Sequence, residues 1–151
     1  MSITTRADEI RDEFAFLTDW EERYGHLIDL GKALAPLADA ERTEANRVRG
    51  CASQVWFVSD AASDNRLHLR AESDAMIVSG LIALLLRLYD GAERAEALDF
   101  DARGFFEEIG VKEALSSQRA NGLASMLARI EAIAGGELPS AQAGSMGSDS
   151  A

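Results

Sequence analysis

At 151 residues, of which 47% are hydrophobic, the chain is long enough for one domain with a sizeable core. Its formal net charge of −11 disfavours nucleic acid and anionic membrane surfaces as partners, because like charges repel. A single cysteine excludes an internal disulfide, no apolar stretch is long enough to span a bilayer, and the N-terminus lacks the apolar core of a secretory signal, so we expect a cytoplasmic protein.

The N-terminal part of the chain has the periodicity of two amphipathic helices. Ile10, Phe14 and Leu17 recur at helical spacing among charged residues, which predicts the first helix. Asp19 is a residue type that caps helices, and it stands just before the second apolar periodic segment. Pro36 then begins an irregular stretch.

The pattern changes to that of strands after residue 45. Residues 46–50 form a short candidate strand, and residues 54–58 are β-branched and aromatic. A turn-forming cluster separates them from residues 67–72, in which apolar and polar side chains alternate as they do in a half-buried strand. We therefore predict a hairpin within a three-stranded antiparallel sheet.

A long apolar segment over residues 75–90 predicts the central buried helix of the domain. Ser73 or Asp74 is placed to cap its start, and Gly91 is placed to end it. For Asp74, this capping role is the plain structural interpretation.

Further helical segments follow near residues 94–98 and 102–109, and from Ser116 or Ser117 to about residue 134. The prediction is therefore an α+β fold in a single domain over residues 1–134, with several helices packed on the sheet. Residues 135–151 are rich in Gly, Ser and Ala and have little to bury, so we expect a disordered tail there.

Cys51 is the only cysteine of the chain and the strongest candidate for chemistry. It follows Gly50 and precedes a β-prone run, which predicts a thiol on a turn at the mouth of a strand. One thiol cannot supply the paired ligands of a zinc or iron–sulfur site, so we expect neither a metal nor a cofactor. His68 would have to approach Cys51 to form a catalytic dyad, and no sequence pattern brings the two together.

Arginines near Cys51 are candidates for activating its thiol. Arg47 and Arg49 lie within four residues of the cysteine, and a cation lowers the pKa of a nearby thiol. Both could equally solvate an edge strand. Arg119 falls in the first turn of the last helix, where the macrodipole disfavours a cation, so either a carboxylate of this chain or of a partner offsets it or the side chain is solvated.

Residues 46–56 read NRVRGCASQVW, which closely resembles the signature of the SufE family. The resemblance covers most of the chain, roughly Phe14 to Ile133, and departs from the family at Ala52, where a larger polar residue is common. It implies an α+β fold shared with IscU-type scaffold proteins. Those scaffolds use several cysteines, so the single cysteine of this chain fits a carrier better than a scaffold.

The resemblance also implies a function. Cys51 would take sulfur from the persulfide of a pyridoxal-phosphate-dependent cysteine desulfurase of the SufS type, stimulate that enzyme, and deliver the sulfur to an iron–sulfur scaffold complex. We expect no turnover by the chain alone. The residues expected to support the cysteine loop or to contact the partner are Arg49, Gly50, Ser53, Gln54, Asp74 and Arg119.

Several alternatives remain open at the level of sequence. A single-cysteine redox sensor or thiol hydrolase would need a base or an electropositive pocket that keeps Cys51 ionised. A binding module would use Cys51 only as a structural residue. The sequence also leaves open a homodimer. It leaves open which desulfurase is the partner, since the SufE-type branch of the family and the paralogous CsdE-type branch serve different ones.

Overall fold

A computed structural model describes residues 1–60, 63–111 and 115–136 of the chain. Within these ranges the fold is α+β, as predicted, with six α-helices and a two-stranded antiparallel sheet. The helices are α1 (Ile3–Ala15), α2 (Trp20–Lys32), α3 (Met76–Tyr89), α4 (Arg94–Asp99), α5 (Ala102–Glu108) and α6 (Ser117–Ala134), and the strands are β1 (Val55–Ser59) and β2 (Leu69–Ser73). Most of the predicted tail, residues 137–151, lies outside the described residues.

The predicted hairpin is present, but three strands are not confirmed in the described part of the chain. Strands β1 and β2 pair antiparallel, with Val55 opposite Ser73 and Ser59 opposite Leu69. The segment before the cysteine contributes one isolated bridge, between Arg47 and Trp56. The chain turns away directly afterwards, because Gly50 adopts a φ of +92°, which a strand cannot contain.

Helix α3 is the centre of the core, as its apolar sequence predicted. Leu81, Ile82, Leu84, Leu85 and Leu88 have no exposed surface, and burying a side chain of this size stabilises the fold by about 1.5–3 kcal/mol. The helix packs against α2, α1 and strand β2. It thereby fixes one wall of the space beside Cys51.

Glycines allow α2 and α3 to approach closely. A Cβ atom at Gly31 would lie 2.8 Å from the backbone nitrogen of Gly80, and a Cβ atom at Gly80 would overlap the backbone of Leu27. Only residues without a side chain permit this backbone-to-backbone contact.

The predicted capping residues are observed at the starts of two helices, α2 and α6, but not at the start of α3. The Asp19 carboxylate accepts a hydrogen bond from the Glu22 amide at 2.9 Å, and Ser116 caps α6. The prediction that Ser73 or Asp74 caps α3 is wrong, because the N-cap is Ala75 and no side chain caps it. The reason is competition for the Asp74 carboxylate, which instead accepts a hydrogen bond from the backbone of the cysteine loop.

The described helices include none that is both long and apolar enough to cross a membrane.

Candidate functional site

The candidate site is built around the loop that carries Cys51, between the Arg47–Trp56 bridge and the start of β1. Gly50 is required there for two reasons. Its φ of +92° is strained for any other residue, and a Cβ atom would overlap the Oγ atom of Ser125 on α6. The glycine therefore lets the loop turn sharply while lying directly against the last helix.

Two hydrogen bonds, each donated by a backbone amide, hold the far end of this loop. The amide of Gln54 donates to Asp74 Oδ1 at 3.0 Å, and the amide of Asp74 donates to the Gln54 carbonyl at 3.2 Å. This reciprocal pair ties the end of the loop to the chain just before α3. Both residues therefore support the loop from outside the cleft that Cys51 lines.

The Cys51 side chain is half-buried against Gly122 of α6. Its thiol donates a weak hydrogen bond to the Gly122 carbonyl oxygen, with the sulfur 3.6 Å away. A Cβ atom at Gly122 would lie 3.5 Å from Sγ, so the glycine leaves one methyl group's width free beside the sulfur. The cysteine loop and α6 thus share the walls of one small cleft.

This cleft has a volume of about 170 Å³ and has one apolar and one polar side. The apolar side comes from α3 and α6, and the polar side comes from the loop and from the start of α6. The apolar lining residues are Val78, Leu81 and Met126, and the polar ones are Ser53, Ser116, Gln118 and Arg119. A space of this size accommodates a small group next to the thiol.

Burial raises the pKa of the Cys51 thiol above its ordinary value, and the nearby positive charge of Arg47 offsets this shift in part. The thiol is therefore protonated at neutral pH in this conformation. A protonated thiol is a poor nucleophile, because the thiolate is the attacking species. Cys51 is consequently a slow nucleophile at neutral pH in these surroundings.

The structure brings together some of the residues predicted from the sequence and separates others. Ser53 and Arg119 line the cleft with Cys51. Arg49 does not line it; its side chain is 78% exposed and lies 3.3 Å from the carboxylate of Glu44. Of the two predicted arginines near the thiol, it is Arg47 whose charge reaches the sulfur.

Sequence reasoning missed the apolar wall and the reason for Gly122. Val78 and Met126 have no distinguishing motif, since they look like ordinary core positions of helices. Gly122 does carry a signal, because a glycine inside a helix costs stability and usually has a packing reason. That reason is its contact with a cysteine more than seventy residues earlier, which periodicity cannot reveal.

The two histidines have other partners. His68 contacts both carboxylate oxygens of Asp64 at 2.9 Å, and His26 contacts Glu13. Neither histidine lines the Cys51 cleft. Across the described ranges, no group of three or more His, Cys, Asp or Glu side chains is arranged to hold a metal ion.

A family model described as "SufE: Fe-S metabolism associated domain" matches residues 8–134. The chain belongs to the SufE family. Two uncharacterized SufE-like proteins are each 49% identical to it: one from Rhizobium meliloti, over 89% of this chain and 99% of the relative, and one from Rhizobium etli, over 82% and 85%. SufE membership associates the chain with iron–sulfur metabolism.

The SufE-family fold is also similar to a solved structure, the solution structure of a hypothetical protein from Thermus thermophilus. The TM-score is 0.69 at 21% sequence identity, and the similarity covers 85% of this chain and 93% of the other. At this identity the similarity concerns the fold alone.

Proposed function

We propose that Cys51 accepts sulfur from the persulfide of a pyridoxal-phosphate-dependent cysteine desulfurase and delivers it to iron–sulfur cluster assembly. The observation that carries the proposal is the position of the only thiol of the chain, which lines a small cleft between a glycine-dependent loop and α6. Membership of the SufE family supports the same metabolic context.

The transfer step is a thiol–persulfide exchange. The Cys51 sulfur attacks the terminal sulfur of the desulfurase persulfide, a new S–S bond forms, and the old S–S bond breaks. The desulfurase cysteine leaves as a thiolate, and the proton of Cys51 passes to solvent or to that leaving group. No external oxidant or reductant is required, since the transferred sulfur keeps its oxidation level.

The cleft beside Cys51 suits a protein that carries a persulfide better than a sensor protein that keeps its thiolate free. The positive charge of Arg47 acts on the sulfur and favours an anionic persulfide, and the cleft leaves space beside the thiol for the added sulfur. Delivery to a scaffold then requires that the loop present Cys51 to the next partner.

The raised pKa of Cys51 argues against the alternative of a redox sensor or thiol hydrolase. Such proteins depend on a thiolate that is already ionised in the free protein. A carrier that meets its sulfur donor in a complex needs no ionised thiol at rest, because docking changes the surroundings of the sulfur.

The test is the turnover of the partner desulfurase on free cysteine, measured with and without this protein. The wild-type protein is expected to raise the rate of alanine and sulfide production, and Cys51→Ser is expected not to raise it. Circular dichroism checks that the variant is folded. Equal stimulation by wild type and variant would contradict the proposal.

A further inference from the structure

A second cleft lies beside the cysteine loop and has the opposite charge to the chain as a whole. It has a volume of about 380 Å³, and its lining includes Arg47, Arg49, Arg129, Glu44 and Ser125. We refer to this surface as the basic cleft. In the described part of the chain three arginines and one carboxylate line it, whereas the whole chain has a net charge of −11.

The single carboxylate of the basic cleft does not neutralise it. Glu44 lies 3.3 Å from Arg49 and 3.7 Å from Arg47, and the Glu44 and Arg49 side chains are 70% and 78% exposed. Exposed ion pairs of this kind contribute little stability and exchange partners readily. Two arginines thus share one weakly held carboxylate, which leaves hydrogen-bond donors available to a second one.

Arg129 is the arginine of the basic cleft whose side chain is held in place by hydrogen bonds. Its guanidinium donates to the carbonyl oxygens of Ala45 at 2.6 Å and Arg47 at 3.3 Å, so it holds the chain before the cysteine loop against α6. Burial lowers the pKa of Arg129, because the loss of water disfavours the charged form. A carboxylate that enters the cleft would relieve this unfavourable burial of charge.

The basic cleft is next to the sulfur. Arg49 is two residues from Cys51, and the charge of Arg47 already acts on the thiol. Ser125 lines the basic cleft and contacts Gly50, while Gly122, one turn away on α6, lines the Cys51 cleft. A protein that lies over the loop therefore meets both clefts at once.

We infer that the basic cleft receives a carboxylate-rich segment of the protein that exchanges sulfur with Cys51. The inference rests on the proposed function and adds the kind of surface that the partner presents. Arginine suits this contact, because its planar guanidinium binds carboxylates through paired hydrogen bonds. Charge complementarity would steer the partner to the loop and set the register in which the two cysteines meet.

The same three arginines could in principle contact phosphates. The chain's charge of −11 disfavours that ligand, because the remainder of the surface would repel a polyanionic backbone. A short protein segment bears its charge locally and avoids this repulsion.

The experiment measures the affinity of the protein for the partner desulfurase as a function of salt concentration. Arg49→Glu is expected to weaken binding by about tenfold at low ionic strength and less at high ionic strength. Arg49→Gln, which removes the charge without reversing it, should give a smaller loss in the same direction. Arg103→Glu is the matched control, since it makes the same charge change at an exposed position on α5 outside both clefts.

The outcomes separate the inference from the function on which it rests. If wild type binds the desulfurase and takes sulfur, and Arg49→Glu behaves like Arg103→Glu at every salt concentration, the inference is overturned and the proposed function stands. If wild type takes no sulfur, both are overturned. Binding of a DNA duplex by wild type that Arg49→Glu abolishes would assign the basic cleft to phosphates and would also overturn the inference.

Discussion

The thiol of Cys51 lies 3.6 Å from the carbonyl oxygen of Gly122, although the two residues are 71 positions apart in the chain. The cysteine arrives on a loop before β1, and the glycine lies inside α6. The contact covers one side of the thiol and leaves the other side facing the cleft. The accessibility of the sulfur therefore depends on a backbone position of α6.

Gly122→Ala should stabilise the protein and slow the chemistry of Cys51. Alanine forms helices better than glycine, by about 0.5–1 kcal/mol, and its Cβ atom would make an ordinary contact with Sγ at 3.5 Å. That contact fills the space beside the sulfur, so alkylation and sulfur acceptance should both slow severalfold. Urea unfolding and the rate of iodoacetamide alkylation measure the two effects.

The matched control for Gly122→Ala is Gly25→Ala on α2. A Cβ atom there meets nothing within 4 Å, so this variant should gain similar stability without changing Cys51. Equal alkylation rates in Gly122→Ala and Gly25→Ala would show that Gly122 does not control access to the thiol.

Gly50→Ala should destabilise the fold. A left-handed backbone costs a residue with a side chain about 1–2 kcal/mol, and the new Cβ atom would also overlap Ser125 Oγ. Gly136→Ala isolates the backbone cost, since its φ is +77° and no atom of the described residues lies within 4 Å of a Cβ atom placed there. The free energy of unfolding should therefore fall further for Gly50→Ala than for Gly136→Ala.

A second substitution tests the steric part of this loss. Combining Gly50→Ala with Ser125→Ala removes the Oγ atom and leaves a Cβ atom 3.4 Å from the new side chain. The double variant should recover part of the lost stability. No recovery would place the whole cost in the backbone conformation.

Cys51 should react slowly at neutral pH and faster as the pH rises beyond the ordinary pKa of a thiol. Burial raises the pKa of its thiol, so the thiolate fraction at pH 8 is smaller than in an unfolded chain. The midpoint of the alkylation rate against pH should lie higher for the native protein than for the same protein in urea. A native midpoint at or below the urea value would revive the redox-sensor alternative.

The same shift affects stability, with a definite sign. Because the thiol pKa is higher in the folded state, folding favours the protonated form, and this contribution is fully present below the unfolded-state pKa. It is lost as the pH rises through the folded-state pKa. The wild-type protein should therefore lose more stability than Cys51→Ser as the pH increases above about 8.5.

Asp74→Ala should weaken the end of the cysteine loop. It removes the acceptor of the Gln54 amide, and loss of such a hydrogen bond costs about 0.5–1.5 kcal/mol. Asp74→Asn keeps an acceptor oxygen and should retain most of the stability. An Asp74→Ala variant in which the Gln54 amide exchanges its hydrogen as slowly as in the wild type would contradict this role of Asp74.

Local chemistry made much of the fold predictable. Asp19 and Ser116 are capping residues placed before apolar periodic segments, and they cap α2 and α6 as expected. The third strand is not confirmed in the described residues, where the pairing stops after one bridge because Gly50 has a positive φ that strand propensity does not predict. The expected Asp74 cap failed because the cysteine loop competes for the same carboxylate, which is a tertiary effect.

The candidate site was predictable at its centre and not at its walls. A lone cysteine after a glycine, before a β-prone run, identified Cys51 and its loop. Val78, Gly122 and Met126 reach the sulfur only through the packing of α3 and α6 against that loop. The basic cleft likewise forms only because α6 lies against the chain before the cysteine, which brings Arg129 next to Arg47 and Arg49.

The most direct test of Cys51 as the sulfur acceptor is the intact mass of the protein after incubation with the partner desulfurase and free cysteine. The expected result is the addition of one sulfur atom, located on Cys51 by peptide mapping, lost on reduction, and absent when the desulfurase is omitted. Cys51→Ser should gain no such mass. A wild-type protein that gains no sulfur, or a Cys51→Ser variant that does, would contradict the assignment.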